Sequence, residues 1–198
     1  MRVVIMADGK GTRWENYLGV PKHLAVIDGE KLIGRTIRLL RKLDSNDELE
    51  IIVTSHDKRY EFKGSRRYEP LNNNLEIDRF TEELIEDDMC FLYGDTYYTA
   101  SALNTILKKS TCDVDFFGNS KSIVGIKIKD SEVFKKHVSR VKNMYLEGKI
   151  KKCIGWQVYQ SFTGQMIGNE VISKDELIIV DKKTVDINTP EEYEEIVL

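Results

Sequence analysis

The chain has 198 residues, of which 41% are hydrophobic and 32% charged, and its formal net charge is −3 at pH 7. This length and composition predict one globular domain with a substantial core. Because acidic and basic residues are mixed along the chain, we expect no nucleic-acid-binding surface, and because no run of 18 apolar residues occurs, we expect no transmembrane helix. The cysteines at 90, 112 and 153 form no zinc-binding spacing, and the N-terminus predicts a core strand rather than a signal peptide, so we expect a cytoplasmic protein.

Hydrophobic periodicity predicts strands that alternate with helices along the chain. Strands are expected at 3–6, 50–54, 89–93, 114–117, 123–128 and 177–180, and helices at 31–43, 77–85, 99–108, 131–141 and from 190 onward. The last helix has the clearest start, with Thr189 as N-cap, Pro190 at the first helical position and Glu192 three residues after the cap. The alternation predicts an α/β fold with a three-layer, open, mostly parallel sheet and helices on both faces. Ligands of such folds lie at the carboxyl ends of the strands.

The most informative segment is the loop that follows the first strand, with the sequence Ala7-Asp8-Gly9-Lys10-Gly11-Thr12-Arg13-Trp14. Glycines let backbone N–H groups approach an anion, and Arg13 and Lys22 supply positive charge, so the loop predicts a site for nucleotide phosphates. An ordinary strand-to-helix turn is the alternative interpretation of Gly-x-Gly alone. Trp14 stands where a dinucleotide-binding turn needs its third glycine, which disfavours a nicotinamide dehydrogenase. The Walker pattern is absent.

Seven positions of this region resemble the opening signature of the nucleotidyltransferase superfamily, whose members make nucleoside-diphosphate sugars, CDP-alcohols and the molybdenum-cofactor dinucleotide. These positions are Gly9, Gly11, Thr12, Arg13, Pro21, Lys22 and Leu24. The family usually has Ala or Gly where this chain has Asp8, whose carboxylate we expect to turn toward the ribose or base, or toward Lys10. The resemblance covers residues 1 to about 110 and 177 to 198.

The resemblance implies roles for the loop residues. Nucleotide contacts are expected from Ala7, Asp8, Gly9, Gly11 and Thr12, of which the last three cradle the β- and γ-phosphates. Arg13 would offset charge on the leaving pyrophosphate, and Lys22 would bridge the α-phosphate and the attacking oxygen. The segment 68–76 resembles the part of the family that lies along the base and ribose, which assigns Asn73 and Asn74 to base contacts. An asparagine-rich turn is the alternative there.

Two aspartates follow predicted strand ends far apart in the sequence, Asp95 after Gly94 and Asp186 before Ile187. Mg²⁺ takes an octahedron of oxygens, commonly one or two carboxylates completed by water and phosphate oxygens. Each motif alone is more typical of a turn or a helix start. The resemblance implies that Asp95 and Asp186 hold Mg²⁺ and that Gly94 lies beside the nucleotide.

The acceptor of the reaction is expected to meet residues between about 115 and 170. Lys121 and Lys127 are candidates for binding its phosphate, and Trp156 and Tyr159 for an apolar or cationic group. The aromatic residues at 156, 159 and 162 also have helical spacing, which favours plain core packing over ligand binding.

The resemblance implies Mg²⁺-dependent transfer of a nucleoside monophosphate from a nucleoside triphosphate to a phosphorylated small molecule, with release of pyrophosphate. The short chain and the asparagine-rich segment favour CMP transfer to a sugar phosphate or a phosphocholine-like acceptor, for surface-polysaccharide precursors. Guanylyl, uridylyl or thymidylyl transfer is the alternative within the superfamily, and a non-catalytic nucleotide-binding module is the alternative outside it. We expect a single domain, 1–198, with a nucleotide-binding part at 1–110, an acceptor-binding part at 111–180 and a closing part at 181–198, as a monomer or homodimer.

Overall fold

The computed structural model describes residues 1–9 and 11–197. Its strands are β1 (Arg2–Met6), β2 (Val26–Ile27), β3 (Glu30–Lys31), β4 (Glu50–Thr54), β5 (Arg66–Tyr68), β6 (Met89–Tyr93), β7 (Thr96–Tyr97), β8 (Val114–Gly118), β9 (Ile123–Ile128), β10 (Ile178–Ile179) and β11 (Val185–Asp186). Its α-helices are α1 (Leu32–Leu43), α2 (Ala100–Lys108), α3 (Ser131–Leu146), α4 (Gly155–Phe162) and α5 (Pro190–Val197). Across the described residues, every helix is too short or too polar to span a bilayer.

One sheet of seven strands organises the molecule, in the order β10-β8-β9-β6-β1-β4-β5. The central strand β1 runs parallel to β4 and β6, β5 runs parallel to β4, and β10 runs parallel to β8. Only β9 runs antiparallel to its neighbours in this sheet, β6 and β8. A strand buried on both faces must be apolar at every position, which explains the uninterrupted Val3-Val4-Ile5 of β1. The predicted mostly parallel sheet is confirmed, and it takes strands from both the 1–110 and the 111–180 parts.

Helices cover both faces of the sheet, as the three-layer prediction requires. Val3 and Ile5 face a core shared with α1 and α2, whereas Val4 and Met6 face a core shared with α3 and α4. This alternation follows from the period of two in a strand. The division of the chain into nucleotide, acceptor and closing parts stays a prediction.

Several predicted elements differ in the structure. The predicted helix at 77–85 is wrong, because two short 3₁₀ helices, Glu76–Arg79 and Glu82–Leu84, replace it and Thr81 between them has non-helical torsion angles, φ −3° and ψ 87°. Helix α3 extends beyond 141 to Leu146, since Met144 and Tyr145 continue its apolar stripe. The predicted strand at 177–180 keeps only β10, and α4 was not predicted as an element.

Three phenylalanines fix the segment 76–85 to the sheet in place of the expected helix. Phe80 packs edge to face on Phe91 of β6 and Phe134 of α3, with ring centroids 5.5 and 5.4 Å apart. All three side chains are fully buried. Because Phe80 directly follows Arg79, this cluster also fixes the backbone of the cavity wall described below.

We expect Phe134→Ala to lower the free energy of unfolding by about 3–5 kcal/mol, because it removes buried apolar surface and leaves a cavity beneath α3. Phe134→Leu keeps most of the volume and should cost less. Urea denaturation of the three proteins measures both changes. Equal losses for the alanine and leucine variants would contradict the buried position of the ring.

Candidate functional site

A crevice opens at the carboxyl ends of β1 and β6, where the sequence predicted the ligand site. Its main cavity has a volume of about 310 Å³. The residues that line it are Met6, Asp8, Gly9, Gly11, Thr12, Arg13, Lys22, His23, Asn73, Asn74, Leu75, Glu76, Arg79, Asp95 and Asn188. A second cavity of about 300 Å³ shares Asp8, Gly9 and Lys22 with the first, so the two form one crevice on either side of the glycine loop.

The glycine loop is anchored by Trp14. Gly11 adopts φ +59° and ψ 32°, a left-handed conformation that glycine takes readily. The Trp14 ring is buried, donates its Nε1–H to the carbonyl of Val20 at 2.7 Å, and packs edge-on against Tyr17 and Tyr193. Tyr193 belongs to α5, so the tryptophan that replaces a third glycine ties the loop to the last helix of the chain.

Asp8 lines both cavities and binds two other segments. Its carboxylate lies 2.9 Å from His56 Nδ1, accepts from the His56 backbone N–H at 3.2 Å, and accepts from Asn73 Nδ2 at 2.8 Å. Asn73 also donates to the Asp8 carbonyl at 3.0 Å. The three donors satisfy a carboxylate that would otherwise repel phosphate. Lys10, the other predicted partner of Asp8, lies outside the described residues.

Lys22 and Asp95 form a buried ion pair on the cavity wall. The Lys22 ammonium donates to Asp95 Oδ2 and, at 3.2 Å, to Asn188 Oδ1, and the two charged side chains are only 10% and 12% exposed. Arg13 donates to the same Asn188 oxygen at 2.8 Å. Burial alone would raise the pKa of the Asp95 carboxyl, but the attraction of Lys22, with smaller contributions from other groups including Arg79, outweighs it and leaves that pKa below its ordinary value.

Asp186 lies on the strand next to Asp95 without lining the main cavity. β11 pairs with β7 so that Asp186 faces Thr96, and the backbone N–H of Ile187 donates to the Asp95 carbonyl at 2.7 Å. The Asp186 carboxylate accepts from Asn188 Nδ2 and from Ser122 Oγ at 2.6 Å. Asn188 therefore connects the two predicted metal ligands: it binds Asp186 directly, and it binds Lys22, which binds Asp95.

Asp95 and Asp186 are oxygen ligands of the kind that Mg²⁺ takes, although no group of three or more acidic, histidine or cysteine side chains within residues 1–9 and 11–197 could hold a metal ion by itself. Mg²⁺ usually takes only one or two protein carboxylates and completes its shell with water and phosphate oxygens. Asp186 pairs with Thr96, the residue after Asp95, so the two aspartates come from adjacent segments. The magnesium site itself stays a prediction.

His23 lines both cavities, whereas Gly94, expected beside the nucleotide, lines neither and packs against β1 and His23. A Cβ on Gly94 would lie 2.6 Å from the Met6 carbonyl oxygen and 3.3 Å from His23 Cδ2, so only glycine allows this close approach. The His23 ring is buried, and its Nδ1 lies 3.0 Å from the Tyr60 hydroxyl. Burial lowers the pKa of His23 to about 4, so its imidazole is neutral at pH 7. Ala7 is buried beneath the loop and borders only the second cavity.

The structure separates the four predicted acceptor residues. Lys121 is exposed in the β8–β9 hairpin, next to the Ser122 that binds Asp186, and lines neither cavity. Lys127 lies opposite Cys90, near the start of β6, and donates to the Leu107 carbonyl at 2.7 Å, so it is not brought to the crevice. Tyr159 is fully buried against Phe116, as core packing would have it.

Trp156, the fourth predicted acceptor residue, stands at the start of α4. Its ring is half-buried and carries the ammonium of Lys174 at 5.4 Å from the ring centroid. The preceding residue, Gly155, packs so closely on Tyr93 that a Cβ there would clash with the tyrosine hydroxyl. The start of α4 is therefore fixed to the carboxyl end of β6.

Sequence reasoning missed Arg79 as a cavity residue. It was placed in the predicted helix at 77–85, whereas Glu76 closes the segment 68–76 that the resemblance assigned to the base and ribose. Arg79 Nη2 lies 3.7 Å from where a Cβ on Gly9 would stand, so it faces the glycine loop across the cavity. The only sequence signal for Arg79 is its position just after the asparagine-rich segment.

Comparisons with known proteins identify the fold of this chain through solved structures. No protein-family profile and no curated protein sequence matches the chain. Among solved structures, CTP:phosphocholine cytidylyltransferase from Streptococcus pneumoniae is 14% identical with a TM-score of 0.62, covering 98% of this chain and 96% of that one. The 2-C-methyl-D-erythritol 4-phosphate cytidylyltransferase from Thermus thermophilus is 10% identical with a TM-score of 0.60, covering 98% and 96%. A putative glucose-1-phosphate thymidylyltransferase from Bacillus anthracis is 15% identical with a TM-score of 0.59, covering 99% and 93%. The chain thus has the nucleotidyltransferase fold that its opening segment implied.

We expect His23 to make stability depend on pH. Its pKa is about 4 when folded and about 6.5 when unfolded, so the unfolded state binds the proton at the higher pH. Its contribution is fully present above pH 6.5 and is lost as the pH falls toward 4, by up to about 3 kcal/mol. The gap in unfolding free energy between wild type and His23→Gln should therefore shrink over this range, which urea denaturation measures. A gap that stays constant with pH would contradict a neutral, buried His23.

Proposed function

We propose that the protein is a Mg²⁺-dependent nucleotidyltransferase. It would move a nucleoside monophosphate, CMP in the version that we favour, from a nucleoside triphosphate to a phosphorylated small molecule and release pyrophosphate. The observation that carries the proposal is the network of Arg13, Lys22, Asp95 and Asn188 beside the glycine loop. The fold is compatible with the proposal, but a fold alone does not establish an activity, so the argument depends on the side chains of this network.

The reaction needs positioning and charge neutralisation rather than a base. A phosphate monoester is ionised at pH 7, so its oxygen can attack the α-phosphorus in line without losing a proton first. The backbone of Gly9 and Gly11 and the side chain of Thr12 line the cavity where the β- and γ-phosphates would lie. Arg13 is held by the neutral Asn188 amide rather than by a carboxylate, so its positive charge remains available to the pyrophosphate.

Lys22 is the residue that this proposal places at the α-phosphate. Its ammonium is now shared between Asp95 and Asn188, both of which line the same cavity. A bound triphosphate would attract the ammonium while Asp95, with Asp186, would hold the magnesium ion. When bound, that ion supplies further charge neutralisation at the reacting phosphate.

CMP transfer and a role in surface-polysaccharide precursors are the finer parts of the proposal. Asn73 and Asn74 line the cavity, and their amides can both donate to and accept from a base edge. The structurally similar proteins include two cytidylyltransferases, for phosphocholine and for a methylerythritol phosphate, and a putative thymidylyltransferase. The three cysteines are free thiols, which fits the reducing cytoplasm that we propose as the compartment.

Two measurements on the purified protein test this function. A thermal-shift screen of CTP, UTP, GTP, ATP and dTTP with Mg²⁺ names the base, because a ligand that binds only the folded state raises the melting temperature. Pyrophosphate release is then followed with that triphosphate and a panel of sugar phosphates and phosphocholine. Stabilisation without pyrophosphate release from any acceptor would favour the non-catalytic module, and no stabilisation by any triphosphate would overturn the proposal.

We expect Asp95→Asn to lower the rate of pyrophosphate release by at least about a hundredfold, because it removes a carboxylate worth several kcal/mol of charge stabilisation at the reacting phosphate. Asp47→Asn is the matched control, since Asp47 is an exposed aspartate far from the crevice in sequence and its left-handed backbone, φ 54°, suits asparagine. Circular dichroism checks that both variants are folded. A folded Asp95→Asn variant that releases pyrophosphate at nearly the wild-type rate would contradict the assignment of Asp95 as a metal ligand.

A further inference from the structure

We propose that Arg79 binds the phosphate group of the acceptor, a role that rests on the proposed nucleotidyltransferase function. Arg79 lines the main cavity together with Asp95 and Asn188. It is the third cationic side chain of that lining, after Arg13 and Lys22, among the residues that the structure describes. Neither its sequence position nor a motif assigns it a role.

The position of Arg79 puts it between the glycine loop and the start of α4. One of its guanidinium nitrogens, NH2, lies 3.7 Å from the place of a Cβ on Gly9. Its guanidinium carbon lies 5.9 Å from the centroid of the Tyr93 ring. Tyr93 in turn packs on Gly155, the first residue of α4. A group bound to Arg79 would therefore lie on the α4 side of the phosphates that the loop holds.

The charges of the substrates require a cation at this place. A triphosphate and a phosphate monoester bring two polyanions together, and their repulsion opposes the attack. Arg13 and Lys22 are both bonded to Asn188 and would serve the triphosphate. Among the residues that the structure describes, Arg79 shares no hydrogen-bond partner with Arg13 or Lys22, so it is the cavity-lining cation left for the second phosphate.

Arg79 is also free to exchange its partner. Its anionic contact is Glu76, three residues earlier, at 3.1 Å, and the Glu76 side chain is 54% exposed. The Arg79 side chain is 25% exposed, and its Nε also donates to the Glu76 backbone carbonyl at 3.1 Å. Because the carboxylate is more than half exposed, the ion pair itself contributes only about 0–1 kcal/mol. A phosphate dianion offers guanidinium two charge-assisted hydrogen bonds and is the stronger partner. An acceptor phosphate would displace the Glu76 carboxylate without a large cost.

The backbone of Arg79 is nevertheless rigid. Phe80, the next residue, is locked between Phe91 and Phe134. On the other side, Asp78 is bound by Lys142 at 2.7 Å and accepts from the backbone N–H of Leu75 at 2.8 Å. A guanidinium held on a fixed backbone, by two hydrogen bonds to Glu76, is the arrangement expected of a residue that positions a substrate.

Three variants test the role by binding and by kinetics. Arg79→Gln removes the charge, Glu76→Gln removes its competitor, and Arg66→Gln is the control, because Arg66 is an exposed arginine paired with Glu50 on the edge strand β5. Inorganic phosphate, the group common to all acceptors of this class, is titrated into protein saturated with Mg²⁺ and the α,β-methylene analogue of the triphosphate that the thermal-shift screen selects. The analogue's own dissociation constant is measured in parallel.

We expect Arg79→Gln to weaken phosphate binding by at least about tenfold, the effect of losing a charge-assisted contact, and to change the dissociation constant of the analogue by less than about threefold. Glu76→Gln should bind phosphate as well as or better than wild type, and Arg66→Gln should match wild type. In turnover, the KM for the acceptor should rise in Arg79→Gln more than kcat falls.

Other outcomes overturn the assignment. An equal loss of analogue binding would move Arg79 to the nucleotide, and unchanged phosphate binding would remove it from the site. A loss in Glu76→Gln as large as in Arg79→Gln would mean that the pair acts as a structural unit. If wild type binds no triphosphate and releases no pyrophosphate, the proposed function fails and this role falls with it, whereas an active wild type matched by Arg79→Gln refutes the Arg79 role alone.

Discussion

The crevice depends on one neutral side chain, the amide of Asn188. Its oxygen accepts from Arg13 and Lys22, and its nitrogen donates to Asp186, so one residue orients two cations and one anion. A carboxylate at this position would hold the same cations but cancel their charge toward a phosphate, whereas an amide holds them and leaves the charge. The start of α5 fixes Asn188 in turn, because Glu192 accepts from its backbone N–H at 2.6 Å.

Asp8 makes the glycine loop part of a larger unit. Where the superfamily usually has a small apolar residue, this chain has a carboxylate that joins the loop to His56 and Asn73. Trp14 joins the other end of the loop to α5 through Tyr193. Asp8 and Trp14 therefore have the same effect, which is to hold a loop of small residues in one shape by side-chain contacts.

The sequence predicted what local pattern can predict. Apolar runs predicted the bounds of β4, β6 and β9, and the capping pattern predicted the start of α5, because burial and helix starts leave marks within a few residues. Contacts between distant segments leave no such mark. The Arg13–Asn188 contact joins residues 175 apart. Arg79 was predicted as a residue of the helix at 77–85, but in the structure Thr81 interrupts that helix and Phe80 lies in the core.

The two sides of the crevice differ in how far the sequence predicted them, and this difference concerns the acceptor. The phosphate side contains the continuous glycine loop, which the sequence predicted, whereas the α4 side combines Arg79, Tyr93 and the start of α4 from separate segments. The aromatic face that could receive a quaternary ammonium, Trp156, already carries the Lys174 ammonium, which is further held by the Ser120 carbonyl. A cationic acceptor group would have to displace that lysine against like charge. Within the function that we propose, the Lys174 ammonium on Trp156 therefore favours a sugar phosphate over a phosphocholine-like acceptor.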